Sequence, residues 1–156
     1  MLPNGIREIT SEKGKVCREV LDDLPDWFGI PEAVDAYVRD SENLPMFGLV
    51  HDGAVVGFVS LKLHTAFAAE AYVLGVKRGW HRRGIGRRLL EDAESFARGR
   101  GCVFLTVKTL APDRPSNAYA RTRRFYDAMG FLPVELFPDL WGPENPCLFM
   151  IKALAG

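Results

Sequence analysis

The stretch from Val73 to Leu90 constrains this chain more than any other. It runs Val73-Leu74-Gly75-Val76-Lys77-Arg78-Gly79-Trp80-His81-Arg82-Arg83-Gly84-Ile85-Gly86-Arg87-Arg88-Leu89-Leu90. An apolar β-like run enters a glycine-bearing turn and emerges as a helix. Ile85, Leu89, Leu90, Ala93, Phe96 and Ala97 recur at helical spacing and predict a helix over residues 84–98. Gly99 and Gly101 close it, with Arg98 and Arg100 in or near its last turn. A helix start carries the positive end of the macrodipole and free N–H groups, usually answered by a capping oxygen and early acids. Here the flanking residues are Arg82, Arg83, Arg87 and Arg88, and the first acid is Glu91. Each misplaced cation costs ~0.3–1 kcal/mol when exposed. An opening of this kind invites an anion, and Gly84 and Gly86 let it approach the backbone.

The remaining elements give this unit a sheet to lie on. A strand is expected at Ile6–Thr10, and helices at Glu12–Leu24 and Pro31–Asp40, Pro31 suiting a first helical position. Met46–His51 and Ala54–Leu63 read as a hairpin, because Asp52-Gly53 supplies two residues that tolerate positive φ. A strand over Glu70–Val76 leads into the glycine turn. A buried strand is expected at Cys102–Thr109, with Val103, Phe104, Leu105 and Val107 inside. A Pro-rich loop follows at Ala111–Ser116, then a helix over Asn117–Met129 ended by Gly130. Strands at Phe131–Phe137 and Pro146–Leu154 finish the order β-α-α-β-β-β-α-β-α-β-β, a mixed α/β fold. At 156 residues the chain is expected to form one domain, 1–156, burying ~70% of its unfolded surface without staples.

Composition excludes several functions. Twenty Lys+Arg balance twenty Asp+Glu, so a nucleic-acid binder, with its usual basic excess, is not expected. No apolar run approaches ~18 residues, and the N-terminus lacks a signal-peptide core, so no membrane association is expected. Cys17, Cys102 and Cys147 are too few and scattered for a disulfide framework, which fits a reducing cytoplasm. No His or Cys pair has metal-ligand spacing, so no metal is expected.

Two named phosphate motifs fail in the glycine turn. A P-loop needs Gly-Lys-Ser/Thr, but Arg87 follows Gly86; a dinucleotide fingerprint needs a third glycine where Leu89 stands. The segment instead resembles the Gln/Arg-x-x-Gly-x-Gly/Ala signature of the GNAT superfamily of acetyl-coenzyme A-dependent N-acetyltransferases. It stands here as His81-Arg82-Arg83-Gly84-Ile85-Gly86, with His81 in place of Gln/Arg. Glu70-Ala71-Tyr72-Val73-Leu74-Gly75-Val76 resembles the family's fourth strand, and Phe125-Tyr126-Asp127-Ala128-Met129-Gly130-Phe131 its Tyr-x-x-x-Gly-Phe segment. The resemblance implies a mostly antiparallel mixed sheet of about seven strands with helices on both faces. Its fourth and fifth strands would splay apart.

The resemblance also implies transfer of an acetyl or other acyl group from acetyl-coenzyme A to a primary amine of a small molecule or peptide. Attack would be direct, through a tetrahedral intermediate. The pyrophosphate would rest on the backbone of Arg82, Arg83, Gly84, Ile85, Gly86 and Arg87, beside His81. The pantetheine arm would pair with Leu74, Gly75 and Val76, where a backbone N–H would also receive the oxyanion. Tyr126 matches the family's tyrosine acid, a phenol that stays protonated at neutral pH. Glu70 aligns with a glutamate of the fourth strand and is the first choice for the base. His64, which titrates in the right range, is the alternative. Asn117 and Tyr119 fall near the family's pantetheine-contacting asparagine. Asn117 equally suits a helix cap. Arg121, Arg123 and Arg124 serve the adenosine 3′-phosphate or are solvated, and His51 reads as a solvated hairpin end.

The acceptor pocket is expected from the first two helices, their loop and the last strand pair. Asp22, Asp23, Asp26, Trp27 and Phe28 place acids beside aromatics, which suits a cationic amine or a plain hydrophobic anchor. Leu140–Pro146 would close the other wall. The competing reading is a non-catalytic coenzyme A sensor or interaction module on the same fold. Pairing of two copies is left open.

Overall fold

The computed structural model describes residues 5–112 and 116–154. The elements are β1 (Ile6–Glu8), α1 (Lys13–Asp22), α2 (Pro31–Ser41), β2 (Met46–His51), β3 (Ala54–Leu63) and β4 (Ala68–Val76). A 3₁₀ turn (Arg78–Trp80) follows, then α3 (Ile85–Gly99), β5 (Phe104–Leu110), α4 (Asn117–Ala128), β6 (Leu132–Phe137) and β7 (Cys147–Ala153). The expected order of strands and helices stands, and the 3₁₀ turn is new. Seven strands form one sheet in the order β1-β2-β3-β4-β5-β7-β6. β1–β2, β2–β3, β5–β7 and β6–β7 are antiparallel, while β4 and β5 are parallel. The β4–β5 register covers only Ala68–Glu70 against Phe104–Thr106, as expected of strands that part.

The chain gathers into two compact units. One holds Met1–Lys62 and Ala71–Phe96, the other Leu63–Glu70 and Ala97–Gly156. In the first, α1 turns Cys17, Val20 and Leu21 inward at helical spacing, onto Val34, Met46, Phe58 and Val73. Burying each large aliphatic or aromatic side chain contributes about 1.5–3 kcal/mol. A Cβ on Gly75 would meet Val20, Leu24 and Leu21 at 3.1–3.4 Å, so β4 lies close against α1. The hairpin forms as expected, Asp52 at φ 50° and Gly53 at φ 79°. Along α3, Ile85, Leu89, Leu90, Ala93 and Ala97 are buried, and Phe96 packs edge-on against Phe47.

In the second unit β5 pairs with β7 along its whole length. Its expected burial needs correction. Leu105 and Val107 are fully buried, but Val103 and Phe104 are exposed. Both donate their N–H groups to the Phe67 carbonyl at the strand's entrance, and Cys102 instead bonds Ala97 to close α3. Gly130, at φ 97°, ends α4, and Phe131 is fully buried behind it. The expected Pro-rich loop falls in part on residues 113–115, outside the described residues.

Candidate active site

The turn after β4 is held open by contacts the sequence does not advertise. The Arg78 N–H donates to Asp23 Oδ2 at 2.7 Å, and the Arg78 guanidinium pairs with Asp26 at 3.1 Å. The His81 ring N–H, on Nε2, donates to the Val76 carbonyl at 2.6 Å, and the ring meets Trp27 edge-on at 5.7 Å. A carbonyl only accepts, so the His81 proton sits on Nε2. The loop between α1 and α2 and the strand end thus clamp the 3₁₀ turn from two sides. Arg82 at φ 64° and Gly84 at φ 75° then swing the chain into α3.

The start of α3 keeps the character expected of it. Its first turn holds no acid, and Arg82, Arg83, Arg87 and Arg88 are all exposed. The helix's first N–H groups have no partner within the helix. A Cβ built on Gly84 meets nothing within 4 Å, so the space before this backbone is open. Ile85, beside it, is buried and anchors the turn. Amides, dipole, cations and clear space together fit a diphosphate.

Several side chains have other employment than the sequence implied. The His81 ring N–H turns back onto β4 and the backbone N–H bonds Arg78, so His81 fastens the turn instead of facing an anion. The Arg83 guanidinium lies over Trp80 at 4.8 Å. His51 is no solvated hairpin end: its ring packs against Trp80 at 4.6 Å and its Nε2 pairs with Asp52 at 3.2 Å. Asp23 and Asp26 are engaged by Arg78. Phe28 instead joins an aromatic file through Tyr37 to Tyr72, whose hydroxyl donates to Asp40 and whose ring lies under Lys62 at 5.0 Å.

The second unit carries the other candidates. Glu70 ends the stretch of β4 that pairs with β5, its carboxylate only 3% exposed. Its Oε1 accepts from His64 Nε2 at 2.6 Å, and Lys108 Nζ donates to both oxygens at 3.1 Å. The two candidate bases therefore meet, on a lysine that sequence reasoning missed. The signal was there: Lys108 is one cation in the apolar strand Leu105-Thr106-Val107-Lys108-Thr109-Leu110. On β7, burial pushes the Cys147 thiol up to about 11, with Lys108 opposing and Glu70 reinforcing. Tyr126 is buried, its ring 5.5 Å from those of Phe125 and Phe131. Ser116 caps α4, its Oγ accepting from the Tyr119 N–H at 3.2 Å. Asn117 is therefore the first helical residue, not the cap. Arg123 is half-buried and donates to the Leu110 carbonyl at 2.7 Å, while Arg121 and Arg124 are exposed. Among the described residues no group of three or more His, Cys, Asp or Glu is placed to hold a metal ion.

Known proteins resemble this chain in sequence and in fold. Mycothiol acetyltransferase from Beutenbergia cavernae is 35% identical over 106 residues, 64% of this chain and 34% of that protein. N-alpha-acetyltransferase RimI from Mycobacterium tuberculosis is 40% identical over 60 residues, 36% of this chain and 37% of that protein. The matches thus span about a third of each relative's length. An acetyltransferase of the GNAT family from Desulfovibrio desulfuricans superposes with a TM-score of 0.83 at 19% identity, over 97% of this chain and 99% of the other. The ribosomal-protein-S18-alanine N-acetyltransferase from Escherichia coli gives 0.75 at 18% identity, over 98% and 95%. At these identities the structures speak to the fold. The acetyltransferase (GNAT) family model matches residues 14–131, well over half of the chain. A sequence match of that extent, on this sheet and this helix opening, establishes that the chain belongs to the GNAT family of acetyltransferases.

Proposed function

We propose that this protein transfers an acetyl group from acetyl-coenzyme A to a primary amine, acting as one N-acetyltransferase domain over residues 1–156. The observation that carries the reading is the start of α3, where exposed arginines and open space at Gly84 meet a first turn without acids. The backbone of Arg82, Arg83, Gly84, Ile85, Gly86 and Arg87 would hold the pyrophosphate. Leu74 and Gly75 would pair with the pantetheine amides, as would Val76, whose carbonyl already accepts from His81. Asn117 and Tyr119, in the first turn of α4, are proposed to touch the same arm.

The chemistry asks three things of the protein. An ammonium must lose a proton before its nitrogen can attack, which is the task proposed for the buried Glu70 cluster. The oxyanion needs a donor already in place, proposed as a backbone N–H of Leu74–Val76. The leaving thiolate needs a proton, proposed to come from the Tyr126 hydroxyl. Phe125 and Phe131 fix the orientation of that ring.

The acceptor reading stays at the level of a small-molecule or peptide amine. The named relatives are a mycothiol acetyltransferase, an N-alpha-acetyltransferase and a ribosomal-protein-S18-alanine N-acetyltransferase, so both small-molecule amines and a free peptide α-amine belong in an assay. Three buried, unpaired cysteines support a reducing, cytoplasmic setting, and no helix among the described residues is long and apolar enough to cross a membrane. A homodimer is proposed only as a state to be measured by light scattering.

Thiol release from acetyl-coenzyme A tests the function directly, across a panel of a short peptide with a free α-amine, an aminoglycoside and simple alkylamines. Amine-dependent release supports it. Absence of any thermal shift at millimolar acetyl-coenzyme A would defeat the cofactor assignment. A shift without release from any amine would leave a coenzyme A sensor.

A further inference from the structure

The buried cluster of the second unit assigns the proton acceptor more finely, and this assignment rests on the N-acetylation reading above. Glu70 is poorly placed to take a proton itself. Its carboxylate is 3% exposed, Oε1 accepts from both His64 and Lys108, and Oε2 accepts from Lys108. Protonating it would break an ion pair with Lys108 in a buried setting, where losing a charged partner is costly. His64 differs. Its side chain is 38% exposed and stands on the segment between β3 and β4. A carboxylate only accepts, so the proton of the His64–Glu70 bond lies on Nε2 and the neutral ring keeps a lone pair on Nδ1. Among the described residues no hydrogen-bond partner faces Nδ1.

The geometry points to His64 Nδ1 as the group that takes the amine's proton, with Glu70 as the positioning residue that fixes its tautomer and Lys108 bonded to both Glu70 oxygens. The arrangement follows the general logic of an imidazole oriented by a buried carboxylate. A substrate ammonium gives a proton to Nδ1; the electrons of that N–H bond stay on nitrogen as the attacking pair. The imidazolium then faces Glu70 through its Nε2–H. The amine adds to the thioester carbonyl carbon and the C–S bond breaks. The sulfur takes the Tyr126 proton, and the phenolate recovers one from the adduct nitrogen. The products are the amide, the thiol and one proton on His64, which passes to solvent.

Beside the dyad, Lys108 on β5 bonds Glu70, and Cys147 on β7 feels the charges of both. Burial pushes the Cys147 thiol up to about 11, so it stays uncharged through the neutral range. An acid limb that disappears in His64→Ala is therefore assigned to His64.

The experiment is the pH profile of kcat/KM for wild type, His64→Ala and Glu70→Gln, alongside long-range ¹H–¹⁵N NMR of the histidine rings. His64→Ala is expected to lose roughly 10²–10⁴-fold in kcat and its acid limb, and to regain rate with added imidazole. Its thermal shift with acetyl-coenzyme A should persist, separating lost chemistry from lost fold. Glu70→Gln removes the charge that favours the imidazolium, so its acid limb should move to lower pH. NMR should show the His64 proton on Nε2. Wild-type turnover with an unchanged acid limb in His64→Ala, or an Nδ1-protonated His64, overturns this assignment alone. Failure of wild type to turn over any amine overturns the N-acetylation reading and this one with it.

Discussion

Substituting alanine at Gly84 tests the diphosphate site against its own control. Gly84 sits at φ 75° and Gly101 at φ 83°, and a Cβ on either meets nothing within 4 Å. Each substitution therefore carries the same penalty, a left-handed backbone with a side chain, about 1–2 kcal/mol. For a chain of this size that lowers Tm by about 2–8 °C in both variants. Acetyl-coenzyme A at a hundred times its Kd adds about 2.7 kcal/mol, or about 5–11 °C. Only Gly84 opens onto α3's first turn, where a methyl group would stand between the amides and a phosphate. Differential scanning fluorimetry with and without ligand should show Gly101→Ala keeping the full gain and Gly84→Ala losing at least half of it. Equal gains in the two variants would refute the placement of the pyrophosphate at this helix.

Other outcomes follow from single contacts. Tyr126→Phe keeps the packed ring and should lower kcat far more than it weakens acetyl-coenzyme A binding, read by steady-state kinetics beside calorimetry; unchanged turnover would remove Tyr126 from the mechanism. Ser116→Ala removes the α4 cap and should cost about 1 kcal/mol, whereas Asn117→Ala should cost little, measured by urea unfolding. Leu21→Ala, at a fully buried site of the first core, should cost about 2–5 kcal/mol in the same assay. Burial raises the Cys17 and Cys147 thiols from 9.0 to about 11. The unfolded chain loses these protons first, so stability should fall as pH rises from about 9 to about 11 and be indifferent to them below. Alanine at Cys147 should flatten that fall; an unaltered slope would contradict the shift.

The chain's order of amino acids by itself determined the elements whose causes are local. The α3 stripe, the Asp52-Gly53 hairpin and the Gly130 stop depend on spacing or on one backbone angle, and each stands where the sequence places it. The anion-ready opening of α3 was equally readable, because dipole, glycine and neighbouring charge all act within one turn. Tertiary structure decided whatever depends on partners far along the chain. Asp23 holds Arg78 across 55 positions, and Lys108 reaches Glu70 across 38. His81 carries the signature's first position, yet only the path of the turn shows its ring folded back onto Val76. Charge and hydrogen-bonding capacity are written in residue types, but their consumption depends on which groups the fold brings within 3 Å. That is why the acid-free, arginine-flanked opening of α3 was legible before the fold and the environment of Glu70 was not.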